Sequence, residues 1–416
     1  MNRYLLRRAR IAADRDLVDL VIQDGLIRQL APAGQMPSDD PKVPEIDLEG
    51  RVVLPGLIDA HMHVDKCFVA DRVANRSGTL DEALTAMMTV KRGFTHEDVK
   101  QRARRVIGMA VASGTTTIRS HVDVDEAAGL TGFEALVELR RELAGAVTIQ
   151  LVPITRADLV GSETSCDRLR RCLELGADAI GGVPRPDGMG EEHIALLFRF
   201  AKEYDRDLDL HIDEKDDPKD LMIVPLARRT LREGYQGRVT AGHLCTLASA
   251  PPSEAREIIA MIRDAGIHVI SLPAVNLHLM GRGDDRAVRR GVTRVRELLA
   301  AGVNVAYASD NVRDAFTPFG NGDMLQTGLI LGLAAHLGDP DGLRAILEMA
   351  TVRPARLVSP RKAYGVAEGN EADLVVLDET EFANVILNQP TRSLVFKRGR
   401  LVARTTTATE LSFDRT

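Results

Sequence analysis

No tryptophan occurs among the 416 residues, so an aromatic cover over any binding pocket must be a smaller ring. Cysteine is scarce too. Cys67, Cys166, Cys172 and Cys245 form no C-x-x-C pair and no disulfide-framework spacing, which points to reduced thiols and a cytoplasmic setting. No apolar run approaches the ~20 residues needed to span a bilayer, which argues against a membrane role. Arg7-Arg8 is followed by Ala-Arg-Ile-Ala-Ala-Asp rather than an apolar core, so it does not read as a twin-arginine signal. The formal charge of -6 leaves no basic footprint for a nucleic-acid polymer. Arg282, Arg286, Arg289 and Arg290 are interrupted by Asp284 and Asp285, and read as a solvated rim. Solenoid repeats and low-complexity tracts are absent, and no G-x-G-x-x-G follows an apolar run.

What is present is length and rhythm. With 44% hydrophobic and 27% charged residues, the chain can build one large domain and a smaller one. Both ends have a strand-and-turn texture: 3–12, 17–23, 26–30 and 43–53 at the start, 372–377, 393–397 and 401–404 at the close. Asp24-Gly25 between two apolar runs predicts a hairpin. The two ends can pair into one small β-sandwich, 1–53 plus 366–416. Between them, 54–365 repeats a strand–helix beat. Seven apolar runs, 115–122, 147–154, 178–183, 208–212, 238–244, 268–274 and 304–308, follow a first one at 53–62. Most successive starts are 30 to 32 residues apart, the length of a βα unit. Thr79 with Glu82 three residues on reads as a helix cap, and Gly114, Gly176, Gly234, Gly266 and Gly302 stand where helices end before strands. Eight units predict a (β/α)8 TIM barrel, whose functional residues lie at the C-terminal strand ends.

The first of these runs reads Val53-Leu54-Pro55-Gly56-Leu57-Ile58-Asp59-Ala60-His61-Met62-His63. Side chains alternate along a strand, so His61 and His63 share a face and Met62 turns away. Two imidazoles on one face can grip a metal ion and leave its other positions free. The fifth run ends in His211, with Glu214 three residues on; the sixth ends in His243 and the eighth in Asp310. Singly, His211 or His243 would read as a hydrogen-bonded structural histidine and Asp310 as a helix cap. Together, on one rim, they read as a site. His96, His193, His268 and His336 fall on helical patterns or at the wrong strand end and carry no expected role. His121 ends the second run, where lining the pocket and packing beside the ligands are both open.

The stretch from Pro55 to His63 resembles the first barrel strand of the amidohydrolase superfamily. Ser77-Gly78-Thr79-Leu80, Arg119-Ser120-His121-Val122-Asp123, Pro273-Ala274-Val275-Asn276-Leu277-His278 and Arg289-Arg290-Gly291-Val292-Thr293-Arg294 resemble its cytosine deaminase branch. Ala308-Ser309-Asp310-Asn311-Val312-Arg313-Asp314 is similar to N-isopropylammelide amidohydrolases. This resemblance implies one divalent ion, zinc or iron, held by His61, His63, His211 and Asp310. No lysine ends the fourth run, which is consistent with a single ion. It also implies hydrolytic deamination of a small nitrogen heterocycle, a cytosine-like pyrimidine, a triazine or a related ring. Asp310 and His243 would orient a water and take its proton, and Glu214 would protonate a ring nitrogen before ammonia leaves.

Three departures bear on the substrate. Arg156 replaces a glutamine that reads the ring's amide face, Asn311 replaces an aspartate, and Phe316 replaces a tryptophan. Arg156, Asn311, Phe316 and, from the Ser77-to-Leu80 motif, Leu80 are the expected substrate contacts. A guanidinium near a cationic metal calls for an acceptor, so a carboxylate, an acidic ring N–H or an added oxo group is expected on the substrate. The alternatives are cleavage of a ring amide or release of an N-alkylamine, and, in another class, a barrel that binds without catalysis. The expected partner is the heterocycle itself, with assembly into a homo-oligomer left open.

Overall fold

The computed structural model describes residues 3–37, 43–186, 188–217, 219, 221–360 and 362–411. The N-terminal strands are β1 (Arg3–Ala9), β2 (Val18–Gln23), β3 (Leu26–Pro32) and β4 (Glu45–Asp47). They form a sheet in the order β3-β2-β1-β4, antiparallel except for the parallel β1–β4 pair. Asp24 and Gly25 make the β2–β3 hairpin, both with positive φ, as that two-residue turn requires. The expected strand over 43–53 divides at a turn in which Gly50 has φ 86°, giving β4 and then β5 (Val53–Pro55).

β5 does not run on into the barrel. It pairs antiparallel with β14 (Leu374–Leu377), which pairs with β15 (Arg392–Lys397) and that with β16 (Arg400–Arg404). The two terminal sheets share one core: Leu6, Leu20, Ile22 and Ile27 from the first meet Val53, Leu374, Val376 and Phe396 from the second. Residues up to Pro55 thus belong to the terminal sheets. The chain then passes through Gly56, where a Cβ would lie 2.2 Å from the Thr116 hydroxyl. Only glycine fits that crossing.

The barrel strands follow: β6 (Leu57–Met62), β7 (Thr115–Asp123), β8 (Thr148–Thr155), β9 (Ala179–Gly182), β10 (Asp207–Ile212), β11 (Val239–His243), β12 (His268–Ser271) and β13 (Val305–Tyr307). Each pairs in parallel with the next. The ring closes at the functional end, where Asp310 N–H donates to the His61 carbonyl (2.9 Å) and Met62 bridges Asp310. Buried Asp59 tightens this seam by accepting from the Ser309 amide and hydroxyl. The expected seventh strand stops short at Ser271, because Pro273 opens a helix over Pro273–Leu279. The Thr79 cap accepts from the Glu82 amide (3.3 Å), and Gly234 (φ 65°) ends the helix Ile223–Glu233. All four cysteines are buried and unpaired, and among the described residues no helix is long and apolar enough to cross a membrane.

Candidate active site

At the C-terminal rim of the barrel, β6, β10 and the turn after β13 bring four donors together. His211 Nε2 lies 3.2 Å from both His61 Nε2 and His63 Nε2. Asp310 Oδ1 lies 3.2 Å from His63 Nε2 and 3.7 Å from His61 Nε2. Donors about 2.1 Å from a tetrahedral ion are about 3.4 Å apart, so this spacing fits one divalent cation. The electrostatics agree. Burial, with the neighbouring imidazoles or Lys66 adding to it, pushes His61, His63 and His211 well below the usual histidine range, so they are neutral lone-pair donors. Burial and then Glu214 push Asp310 well above the carboxylate range, and neither of its oxygens has a hydrogen-bond partner. A buried carboxylate without a partner among three neutral imidazoles calls for a cation.

The supports of these ligands reach through the barrel. His63 Nδ1 donates to the His121 carbonyl (3.2 Å), which frees Nε2 to face the other donors. Gly242, on β11, lies against the His61 ring, and a Cβ there would come within 3.2 Å of it. His121 is fully buried and stacks on His61, with ring centroids 3.9 Å apart. Its Nε2 lies 3.5 Å from Asp209, which takes a 2.8 Å ion pair from Arg119. Despite burial, His121 and Arg119 keep the Asp209 carboxyl below its ordinary range. Of the two openings for His121, its contacts show packing against His61, away from the cavity lining. Asp310 itself has φ 62° and His243 φ 72°, left-handed backbone at non-glycine positions of the kind that gathers at functional sites.

Glu214 and His243 stand beside this cluster. His243 Nδ1 lies 3.6 Å from Glu214 Oε1 and accepts from Asn276 Nδ2 (3.1 Å). Burial lowers His243 to about 3, so it is neutral. Burial raises Glu214 to about 7, against the pull of Arg185, Lys66 and Arg156. A carboxyl near 7 can both donate and accept a proton at neutral pH.

The opposite wall is built from ion pairs. Lys66 reaches Asp123 (2.9 Å), Lys91 reaches Asp123 (3.0 Å) and also Asp125, and all four side chains are buried. Arg156 lines the cavity, with its guanidinium 3.4 Å from Asp125 and 3.6 Å from Asp123. The charge expected to need an anionic substrate is thus already met within the chain. Asn311 lines the cavity and donates to Asp314 (2.5 Å). Phe316 lines it too, with Lys66 Nζ 5.7 Å from the ring centroid. Leu84 lines the cavity, whereas Leu80, one turn earlier, packs in the adjoining apolar cluster with Phe316.

Sequence reasoning missed Lys66, Lys91, Asp123, Asp125, Arg185, Leu84 and Asn276. Lys66 had a signal, standing three residues past His63 in the same stretch, and Asp123 ends the second strand two residues after His121. The histidines given no role lie elsewhere: His96 faces solvent beside Glu138, His193 is bonded to the Thr155 hydroxyl, His268 lies by Gly237 and Asn304, and His336 is exposed.

Comparison with known proteins places the chain in company. The amidohydrolase family model matches residues 44–130 and 76–403. N-isopropylammelide isopropyl amidohydrolase from Pseudomonas sp. (strain ADP) is 34% identical over 367 residues, covering 86% of this chain and 88% of that protein. Pterin deaminase from Rhizobium rhizogenes is 31% identical over 388 residues, covering 93% and 88%. The crystal structure of 5-methylcytosine deaminase from Klebsiella pneumoniae liganded with 5-fluorocytosine superposes with a TM-score of 0.93 at 31% identity, over 99% of this chain and 100% of that one.

Proposed function

The chain belongs to the amidohydrolase family, and from that premise we propose that it is a metal-dependent hydrolytic deaminase of a small nitrogen heterocycle. The observation that carries this is the placement of Glu214, a half-buried carboxyl 3.6 Å from His243 in the cavity that also holds His63, His211 and the unpartnered Asp310. His61, His63, His211 and Asp310 would hold one zinc or iron ion, which when bound supplies Lewis acidity for hydrolysis at neutral pH. Asp310 and His243 orient the attacking water and take its proton. Glu214 passes a proton to the ring nitrogen beside the carbon under attack, and the exocyclic amine leaves as ammonia, its carbon becoming an oxo group. Arg156 and Asn311 bind the polar edge of the ring, while Phe316 and Leu84 cover its face.

A second reading, release of an alkylamine, is favoured by the 34% identity to N-isopropylammelide isopropyl amidohydrolase. Product analysis on metal-loaded protein separates the two across pyrimidines, pterins and triazines. Free ammonia with an oxo-ring product supports deamination, and a released alkylamine supports the second reading. An opened ring would point to ring-amide cleavage. Ligand binding with no product from any class would favour a non-catalytic barrel.

A further inference from the structure

Four cations line the wall facing the histidine cluster or stand just behind it: Lys66, Lys91, Arg156 and Arg185. The first three are met by Asp123 and Asp125. Arg185 is different. It lines the same cavity as His211, Glu214 and Asn311, yet among the described residues it makes no hydrogen bond and no ion pair. It follows β9, at the C-terminal rim, between Pro184 and Pro186. A residue before proline is confined to extended backbone, and both prolines have fixed φ, so the base of this arginine is held in place in advance. Its charge is also felt at the reacting end: after burial, Arg185 is the first influence on Glu214, and it pulls that carboxyl down.

We propose that Arg185 is the anion-binding residue of the pocket and that the ring the enzyme takes carries a carboxylate on the edge facing the loop after β9. This deepens the deaminase reading and rests on it for the kind of ring. Asp123 and Asp125 answer the other three cations of the wall, and a half-buried guanidinium with no ion pair among the described residues is matched best by the planar, bidentate geometry of a carboxylate. Arg156, held by Asp125 and Asp123, is left to read a carbonyl or ring nitrogen.

Matched pairs test this on the metal-loaded enzyme: cytosine against cytosine-5-carboxylate, and pterin against pterin-6-carboxylate. Ammonia release is measured together with binding by calorimetry. In at least one pair the carboxylated ring should be favoured by ~10²-fold in kcat/KM or affinity. Arg185→Gln should collapse that preference, chiefly by raising KM, and Arg185→Lys, which keeps the charge but not the fork, should restore part of it. If neither carboxylated ring binds, or if binding is unchanged in Arg185→Gln, the inference is overturned even where ammonia is released from the parent ring. Arg185-dependent binding without ammonia release keeps the anion subsite and sinks the deaminase reading.

Discussion

The two faces of one cavity are built on opposite plans. On the histidine face, both carboxylate oxygens of Asp310 are buried among the imidazoles with no hydrogen-bond partner among the described residues. On the other, Lys66, Lys91, Asp123, Asp125 and Arg156 largely satisfy one another. Leaving buried polar atoms unpaired costs stability, so the first face makes physical sense only when something from outside completes it. The second is answered mostly from within the chain, and its main work is to hold shape and set a positive field beside Glu214. Incompleteness marks where a ligand is expected, and completeness marks scaffold.

Breaking the incomplete face should have the largest effect. His61→Ala should remove most of the single bound ion and reduce turnover to background. Elemental analysis finding unchanged metal, or two tightly bound ions in the wild type, would count decisively against the four-ligand assignment.

Next comes Glu214→Gln, which keeps the shape but removes the proton. Metal and substrate binding should persist while turnover falls ~10²–10⁴-fold. Because burial raises Glu214 to about 7, its protonated fraction falls as pH rises through that value. The wild-type rate should therefore decline above about pH 7, and the residual rate of the variant should lack that limb. A full-strength variant, or a variant with an unchanged alkaline limb, would move proton donation to another residue.

The complete face should break differently. Asp123→Asn takes a charge from between two buried lysines, and truncating a buried pair costs about 3–5 kcal/mol. Denaturant unfolding should show that loss while the metal content stays near one per chain. Loss of metal with unchanged stability would mean that the wall serves the ligands directly.

The smallest change is expected at Arg156, whose pairing within the chain lowers the stake. Arg156→Gln should weaken substrate binding by about 2 kcal/mol, the low end for a truncated charged contact, because Asp123 and Asp125 already answer its charge. Unchanged affinity would place Arg156 wholly in the scaffold.

Much of the histidine face was legible from the chain. A period of two put His61 and His63 on one side of a strand, and βα spacing put His211, His243 and Asp310 at the same rim. Those are local rules, and a strand or a turn obeys them wherever it sits. The Asp24-Gly25 hairpin and the Thr79 cap were legible for the same reason. The break at Gly56 was not, because Val53-Leu54 before it and Leu57-Ile58 after it are equally apolar, and nothing local assigns them to different sheets. Pairing with β14, more than 300 residues away, assigns the first part of that run to another sheet.

The wall shows where sequence stops. Lys66 and Asp123 are 57 positions apart, and Lys91 and Asp123 are 32 apart. Nothing in either neighbourhood says that these charges will be buried together. Arg156 and Arg185 look alike in sequence, each a lone arginine on a loop after a strand. Periodicity and turn chemistry, which act over a few residues, determined the barrel, its rim and the donors on it. Which arginine pairs with Asp123 and Asp125 was decided by the closing of the barrel, because an ion pair depends on distance in space and on burial, and a linear chain specifies neither.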